Sequence, residues 1–304
     1  MANLKAIRKR ISSVKSTQKI TRAQKMVAGA RLTRAQHRIQ ALRPYAVKTA
    51  QVLADVVGGN GDGEAASEDN AHPLLARRPE KTVLLLVITS DRGLCGAFNT
   101  NILRAASKIW HEREAAGQSV KIVTIGRKGR DYFRRRNAPV LEVLSGVWEK
   151  LDIEQARNIA RKVLTPFVKG EVDSIYVVYN EFKSAMSQRV VAEPLFPLQK
   201  AAPAKSESSA ETPEWALQRE HLFEPDRGAL LERLVPMYIE VSILRALYES
   251  QASELGSRMT AMESATKKAA EMIGKYTLIY NRARQAAITT ELMEIIGGAE
   301  ALRS

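Results

Sequence analysis

LVPMYIEVSILRALYESQASELGSRMTAMESATKKAAEMIGKYTLIYNRARQAA, residues Leu234–Ala287, decides the fold. Steps of four and three alternate through Leu234, Tyr238, Val241, Arg245, Tyr248, Ala252, Leu255, Met259 and Met262. The same steps continue through Thr266, Ala269, Ile273, Tyr276, Tyr280, Ala283 and Ala287. That spacing draws one stripe along one helix face, and only Arg245 and Thr266 interrupt it. Pro236 is read as falling within the first turns, where proline is tolerated. The block from about 227 to 302 predicts a helix of about 70 residues, roughly 100 Å long. No ordinary globular helix needs that length.

A second long seam lies at the other end of the chain. Apolar residues fall at Leu4, Ile7, Ile11 and Val14, then at Ile20, Ala23, Val27 and Ala30. They recur at Ile39, Leu42, Ala46, Leu53 and Val56. Threes and fours broken by phase shifts are the pattern of a long helix in an irregular coiled coil. Such a helix reaches roughly 80 Å. Pro44 is expected to kink it, because proline removes a backbone donor and crowds the preceding turn. The run Gly58–Gly63 (GGNGDG) ends it. Winding antiparallel buries both seams at once. The seams mix Ala, Met, Thr and Tyr, which bury less apolar area per turn than a leucine zipper.

Between the helices, strand and helix signals alternate. Strands are predicted over 83–89, 120–125, 140–143, 174–182 and 188–196, and helices over 99–114, 128–136 and 151–170. That order implies a mainly parallel sheet with helices on its faces. The fold expected is α/β: a long antiparallel coiled coil of N- and C-terminal helices plus a central α/β domain with a Rossmann-like sheet. Its segments are a helix over 1–57, a glycine-rich linker over 58–79, the α/β domain over 80–198, an exposed loop over 199–226 and a closing helix over 227–304.

The net charge of +14 is unevenly spread. Residues 1–57 hold 13 Lys and Arg against the single acid Asp55, so this arm carries +12. Such an arm seeks an acidic partner: nucleic acid, anionic lipid or an acidic protein surface. It is also rich in Arg and poor in acids, like a transit peptide, but its apolar pattern runs unchanged to Val57. No apolar run approaches the roughly 18 residues needed to cross a bilayer. The single Cys95 cannot form an internal disulfide and has no metal-ligand cluster around it.

No catalytic pattern emerges. GRKGR at Gly126–Arg130 lacks the spacing of a phosphate loop, and there is no HExxH or GxSxG. SDRGLCGAFN, Ser90–Asn99, sits between a strand and a helix, where α/β folds often bind ligands and a helix start can hold an anion. The plainer reading is a tight turn in which Gly93 and Gly96 supply strained backbone angles.

Three stretches resemble the gamma subunit of F-type ATP synthases: NLKAIRKRISSVKSTQKITRAQKMVAGARL (Asn3–Leu32), SDRGLCGAFN, and MTAMESATKKA (Met259–Ala269) with YNRARQAAITTELMEIIGGAEAL (Tyr280–Leu302). The resemblance spans both ends and the middle. It implies a non-catalytic rotor shaft without a cofactor, turning inside a ring of three alpha and three beta subunits. The foot of that shaft would sit with the epsilon subunit on the c-subunit ring, peripheral to the cytoplasmic face of a bacterial inner membrane. It further implies beta-subunit contacts at Ile20, Lys25, Met26, Arg284, Gln285 and Thr289, and c-ring or epsilon contacts at Leu222, Phe223 and Glu224. Gln24 stands where many relatives carry Met. Redox gating by a thiol pair, as in chloroplast forms, is excluded by the single cysteine. The competing expectations are a basic coiled-coil protein that binds nucleic acid and a nucleotide-binding enzyme with helical arms. The first lacks aromatic residues interleaved with its basic ones, and leaves the α/β segment unexplained.

Overall fold

The computed structural model describes residues 4–58, 78–197 and 227–301. In chain order the elements are α1 (Leu4–Gly58), β1 (Thr82–Ile88), α2 (Phe98–Ala115), β2 (Ser119–Ile125), α3 (Arg127–Arg134), β3 (Val140–Leu144), α4 (Ile153–Val168), β4 (Ser174–Phe182), β5 (Gln188–Phe196) and α5 (Arg227–Ala301). The chain divides into two compact units, residues 1–30 with 258–304, and residues 31–257. The division falls within α1 and α5.

In the second unit the five strands lie in the order β3-β2-β1-β4-β5. β1 pairs in parallel with β2 and β4, β2 pairs in parallel with β3, and only β5 is antiparallel. The apolar run of β1 divides between two cores by its period of two. Leu84, Leu86 and Ile88 join Leu53 and Val56 of α1, the inner face of α4, and Leu231, Val235, Ile239, Ile243 and Leu247 of α5. Val83, Leu85 and Val87 pack instead with Phe98, Ile102 and Trp110 of α2 and Phe133 of α3. A strand covered on both faces needs no polar side, which is why β1 reads as unbroken apolar sequence.

Local chemistry sets the element ends. Asp152 accepts a hydrogen bond from Gln155 N at 3.0 Å as the N-cap, so α4 opens at Ile153 rather than at 151. Gly126 ends β2 with φ of 93°, and a Cβ there would stand 2.2 Å from the Thr89 carbonyl oxygen. Only glycine fits that approach. Thr89 then ties the strand ends together: its hydroxyl donates to Ile125 O at 2.8 Å and accepts from Gly129 N at 2.9 Å.

Both long helices carry a proline within them. α1 continues as one helix through Pro44, whose ring is exposed to solvent. Pro236 lies in the third turn of α5, which begins at Arg227.

Candidate functional site

The first unit is an antiparallel helix pair. Arg8 Nη2 donates to the Tyr280 hydroxyl at 2.7 Å and stacks over its ring at 5.6 Å. The Thr21 and Thr266 hydroxyls meet at 2.8 Å, and Lys25 Nζ lies 3.0 Å from Glu263 Oε1. At Gly29 a Cβ would stand 3.5 Å from Met259 Sδ. Partner numbers fall as fast as the others rise, so the register is constant. Thr266, a break in the apolar stripe, is satisfied by a polar partner across the pair. Ala28 is buried to 1% and Thr21 to 8%, so small residues let the helices approach closely.

Carried along, that register sets Leu4 level with Arg284. α5 therefore runs past the first described residue of α1. On this stretch Ile288, Leu292, Met293, Ile295 and Ile296 are all more than half exposed. Five large apolar side chains on a bare helix tip mark a surface meant to be covered.

The contact residues named from sequence occupy two levels. Ile20 and Met26 are exposed on α1, at 58% and 63%. Lys25 is only half-exposed, because its charge is taken up by Glu263. Glu263 in turn is held below the ordinary carboxylate range by the hydrogen bond and charge of Lys25. Arg284, Gln285 and Thr289 are exposed on α5, with the Thr289 hydroxyl donating to Gln285 O at 3.0 Å. In register, Ile20 stands level with Lys268, 16 residues before Arg284 and so roughly 24 Å lower on the helix. The two groups do not form one site. Leu222, Phe223 and Glu224 lie outside the described residues.

In the second unit, the strand-to-helix turn after β1 is closed upon itself. Ser90 N donates to Asn99 Oδ1 at 3.0 Å, and Asn99 Nδ2 donates to Ser90 Oγ at 2.8 Å and to Cys95 Sγ at 3.1 Å. The left-handed positions are Leu94 (φ 63°) and Gly96 (φ 56°); Gly93 is not one of them. One of the two left-handed positions is thus a leucine that sequence alone did not single out. Ser257 of α5 donates to Cys95 O at 2.7 Å. A helix thereby covers the strand ends where α/β sheets hold ligands.

A charged cluster lies below it. Arg245 Nη2 donates to Glu193 Oε2 at 2.6 Å and to the Tyr179 hydroxyl at 3.1 Å. Burial pushes Tyr179 well above its ordinary range. Burial works against the charge on Arg245, but Tyr179 and Glu193 beside it more than offset this and raise it. Ala46, Ala50 and Ala246 leave a pocket of about 70 Å³ against these groups. That holds a water or two, not a nucleotide.

The elements define a class: two long terminal helices, paired antiparallel in one unit, with an α/β domain inserted between them in sequence. The family model described as ATP synthase matches residues 3–302. The ATP synthase gamma chain of Sorangium cellulosum (strain So ce56) is 58% identical over the full length of both chains. That of Anaeromyxobacter sp. (strain Fw109-5) is 48% identical, again over all of both chains. The chain belongs to the ATP synthase gamma chain family. Among solved structures, a central stalk and c-ring chain of the Tetrahymena thermophila mitochondrial ATP synthase superposes with TM-score 0.59 at 25% identity, over 81% of this chain and 99% of that one. A chain of the Euglena gracilis mitochondrial ATP synthase shares the fold, with TM-score 0.67 at 19% identity, over 98% and 94%. Among the described residues, no helix is long and apolar enough to cross a membrane.

Proposed function

We propose that this chain is the rotating shaft of an F-type ATP synthase and is itself non-catalytic. Segments 1–57 and 227–304 form the axle, and 80–198 the foot, with 58–79 and 199–226 as connections. Proton flow turns the c ring and the foot. The axle then drives each beta subunit of the alpha–beta ring through states of different nucleotide affinity. The foot sits with the epsilon subunit on the c ring, peripheral to the cytoplasmic face of the bacterial membrane.

The observation that carries this reading is the bare apolar end of α5. Ile288, Leu292, Met293, Ile295 and Ile296 point out from one helix in several directions and are all exposed. Burial of such side chains is attractive but non-directional. A collar around them holds the tip without fixing its angle, which is what a bearing requires. Lower down, Ile20, Lys25, Met26 and the basic face of α1 meet the beta subunits, and Arg284, Gln285 and Thr289 meet them nearer the tip. Exposed ion pairs contribute about 0–1 kcal/mol each, weak enough to break at every step. Leu222, Phe223 and Glu224 are assigned to the c ring and epsilon.

The test is purification from native membranes through a tag on this chain. Recovery with alpha, beta, epsilon and c subunits is expected. A chain recovered without the alpha and beta subunits would refute the assignment.

A further inference from the structure

α5 meets the sheet in two different ways. Its opening turns present Leu231, Val235, Ile239, Ile243 and Leu247, an apolar stripe within one core. From Ser250 onward the same side carries serines. Ser250 and Ser253 are fully buried and Ser257 nearly so. Asn180 N donates to Ser250 Oγ at 3.4 Å, Ser253 Oγ donates to Asn180 O at 3.1 Å, and Ser257 Oγ donates to Cys95 O at 2.7 Å. One turn before them Arg245 holds Glu193 and Tyr179. At Gly256 the helix comes so near the β4–β5 turn that a Cβ would stand 3.2 Å from both Ala185 Cα and its carbonyl oxygen.

An apolar stripe resists separation but tolerates sliding, because a shift of one turn brings a new apolar residue to each contact. Hydrogen bonds are directional, and a buried donor or acceptor displaced from its partner loses the bond without regaining water. A one-turn slip of α5 would break all three of these bonds, those to both backbone groups of Asn180 included.

We propose that Ser250, Ser253 and Ser257, supported by Arg245 and the close approach at Gly256, lock α5 against sliding or turning on the sheet, and so carry torque between the α/β domain and the closing helix. This rests on the rotor reading given above. The serines are positioning residues: they touch backbone, not nucleotide. Their worth lies in stiffness.

The test uses the assembled ATP synthase carrying Ser250→Ala, Ser253→Ala and Ser257→Ala together. Torsional stiffness is read from single-molecule fluctuations of a probe on the α/β domain, with ATP hydrolysis measured in parallel. The expected result is a loss of stiffness of about twofold, as directional bonds are exchanged for non-directional contact, with hydrolysis near the wild-type rate. Ile243→Val, which loosens the apolar stripe, serves as a control for general destabilisation and is expected to leave stiffness unchanged. Wild-type stiffness in the serine variant overturns the proposal, and so does equal softening by Ile243→Val. Should the triple variant fail to assemble, Ser253→Ala alone is read in the same way. If the unaltered chain does not assemble with alpha and beta subunits at all, the rotor reading has failed, not the lock.

Discussion

Lys25 on α1 and Glu263 on α5 face each other at 3.0 Å across the helix pair of the first unit. Lys25 read from sequence as a cation available to a partner. In the structure its charge is shared with its own chain, and Thr21 with Thr266 repeats the pairing one turn away. The pair aligns two helices whose seam also buries Ala28, Met262 and Ala269.

The pair has a signed pH dependence. Lys25 lowers the Glu263 carboxyl, first through its hydrogen bond and then through charge. A depressed carboxylate contributes stability above its unfolded value, and that contribution is lost as pH falls through the folded value. Glu263→Gln is therefore expected to lower the melting temperature of the chain slightly at neutral pH. In acid, below the ordinary carboxylate range, variant and wild type should converge. Thermal melts across that range check it; a constant gap down to the lowest pH would remove the ion pair from the account.

Glu249 has the opposite sign. It is 7% exposed, accepts from Phe182 N at 3.3 Å, and burial raises its carboxyl against the opposing charge of Arg245. A raised carboxyl contributes most when protonated and loses that contribution as pH rises through the folded value. Glu249→Gln keeps the acceptor for Phe182 N without the charge. It should stabilise the chain at neutral pH, and the gain should fade as the medium is acidified. Denaturant unfolding at two pH values decides, and a loss at neutral pH would mean the pairing with Arg245 dominates.

Two glycines of α5 make a contrasting pair. Around Gly274 nothing lies within 4 Å of an added Cβ, so Gly274→Ala should stabilise by about 0.5–1 kcal/mol through helix propensity alone. At Gly256 the same gain meets the Ala185 backbone at 3.2 Å. Main chain yields less readily than a side chain, and overpacking costs about 1–3 kcal/mol, so Gly256→Ala should be net destabilising. Chemical denaturation of both variants checks the sign. Equal gains at both positions would show that α5 and the β4–β5 turn are less tightly fitted than the distances say.

Much of this was legible in the residues. Val83–Ile88 reads as a buried strand because helices cover both faces, and the alternation of threes and fours finds α5 nearly to its ends. Periodicity reports which face of a helix is apolar but not whether anything covers it. Met262, buried at 4%, and Leu292, exposed at 54%, belong to equally apolar stretches; only the register with α1 separates them. The serines of ESQASELGS, residues 249–257, were missed for a related reason. Serine is nearly neutral in a helix, and their i, i+3, i+7 spacing gains meaning only once Asn180 and Cys95 are seen opposite them. Leu94 was missed because a positive φ at leucine has no sequence signature beside two glycines that could have taken it.

The tip of α5 offers the sharpest separation of fold from function. Ile288, Leu292 and Ile295 are 56%, 54% and 69% exposed, so they add little to the stability of the chain alone. Replacing all three with Gln should shift its unfolding free energy by no more than about 0.5 kcal/mol per site, the range for exposed positions. In a collar the same side chains lose their contact with water. Full burial of one large aliphatic side chain stabilises by about 1.5–3 kcal/mol, so even half of that from each of three predicts a loss of affinity for the alpha–beta ring of at least about tenfold. Titration of the variant chain against isolated alpha–beta ring, beside its thermal melt, measures both quantities. Unchanged affinity with unchanged stability would mean that the apolar tip is not where the ring holds this chain, and the bearing would have to be sought lower, around Ile20 and Met26.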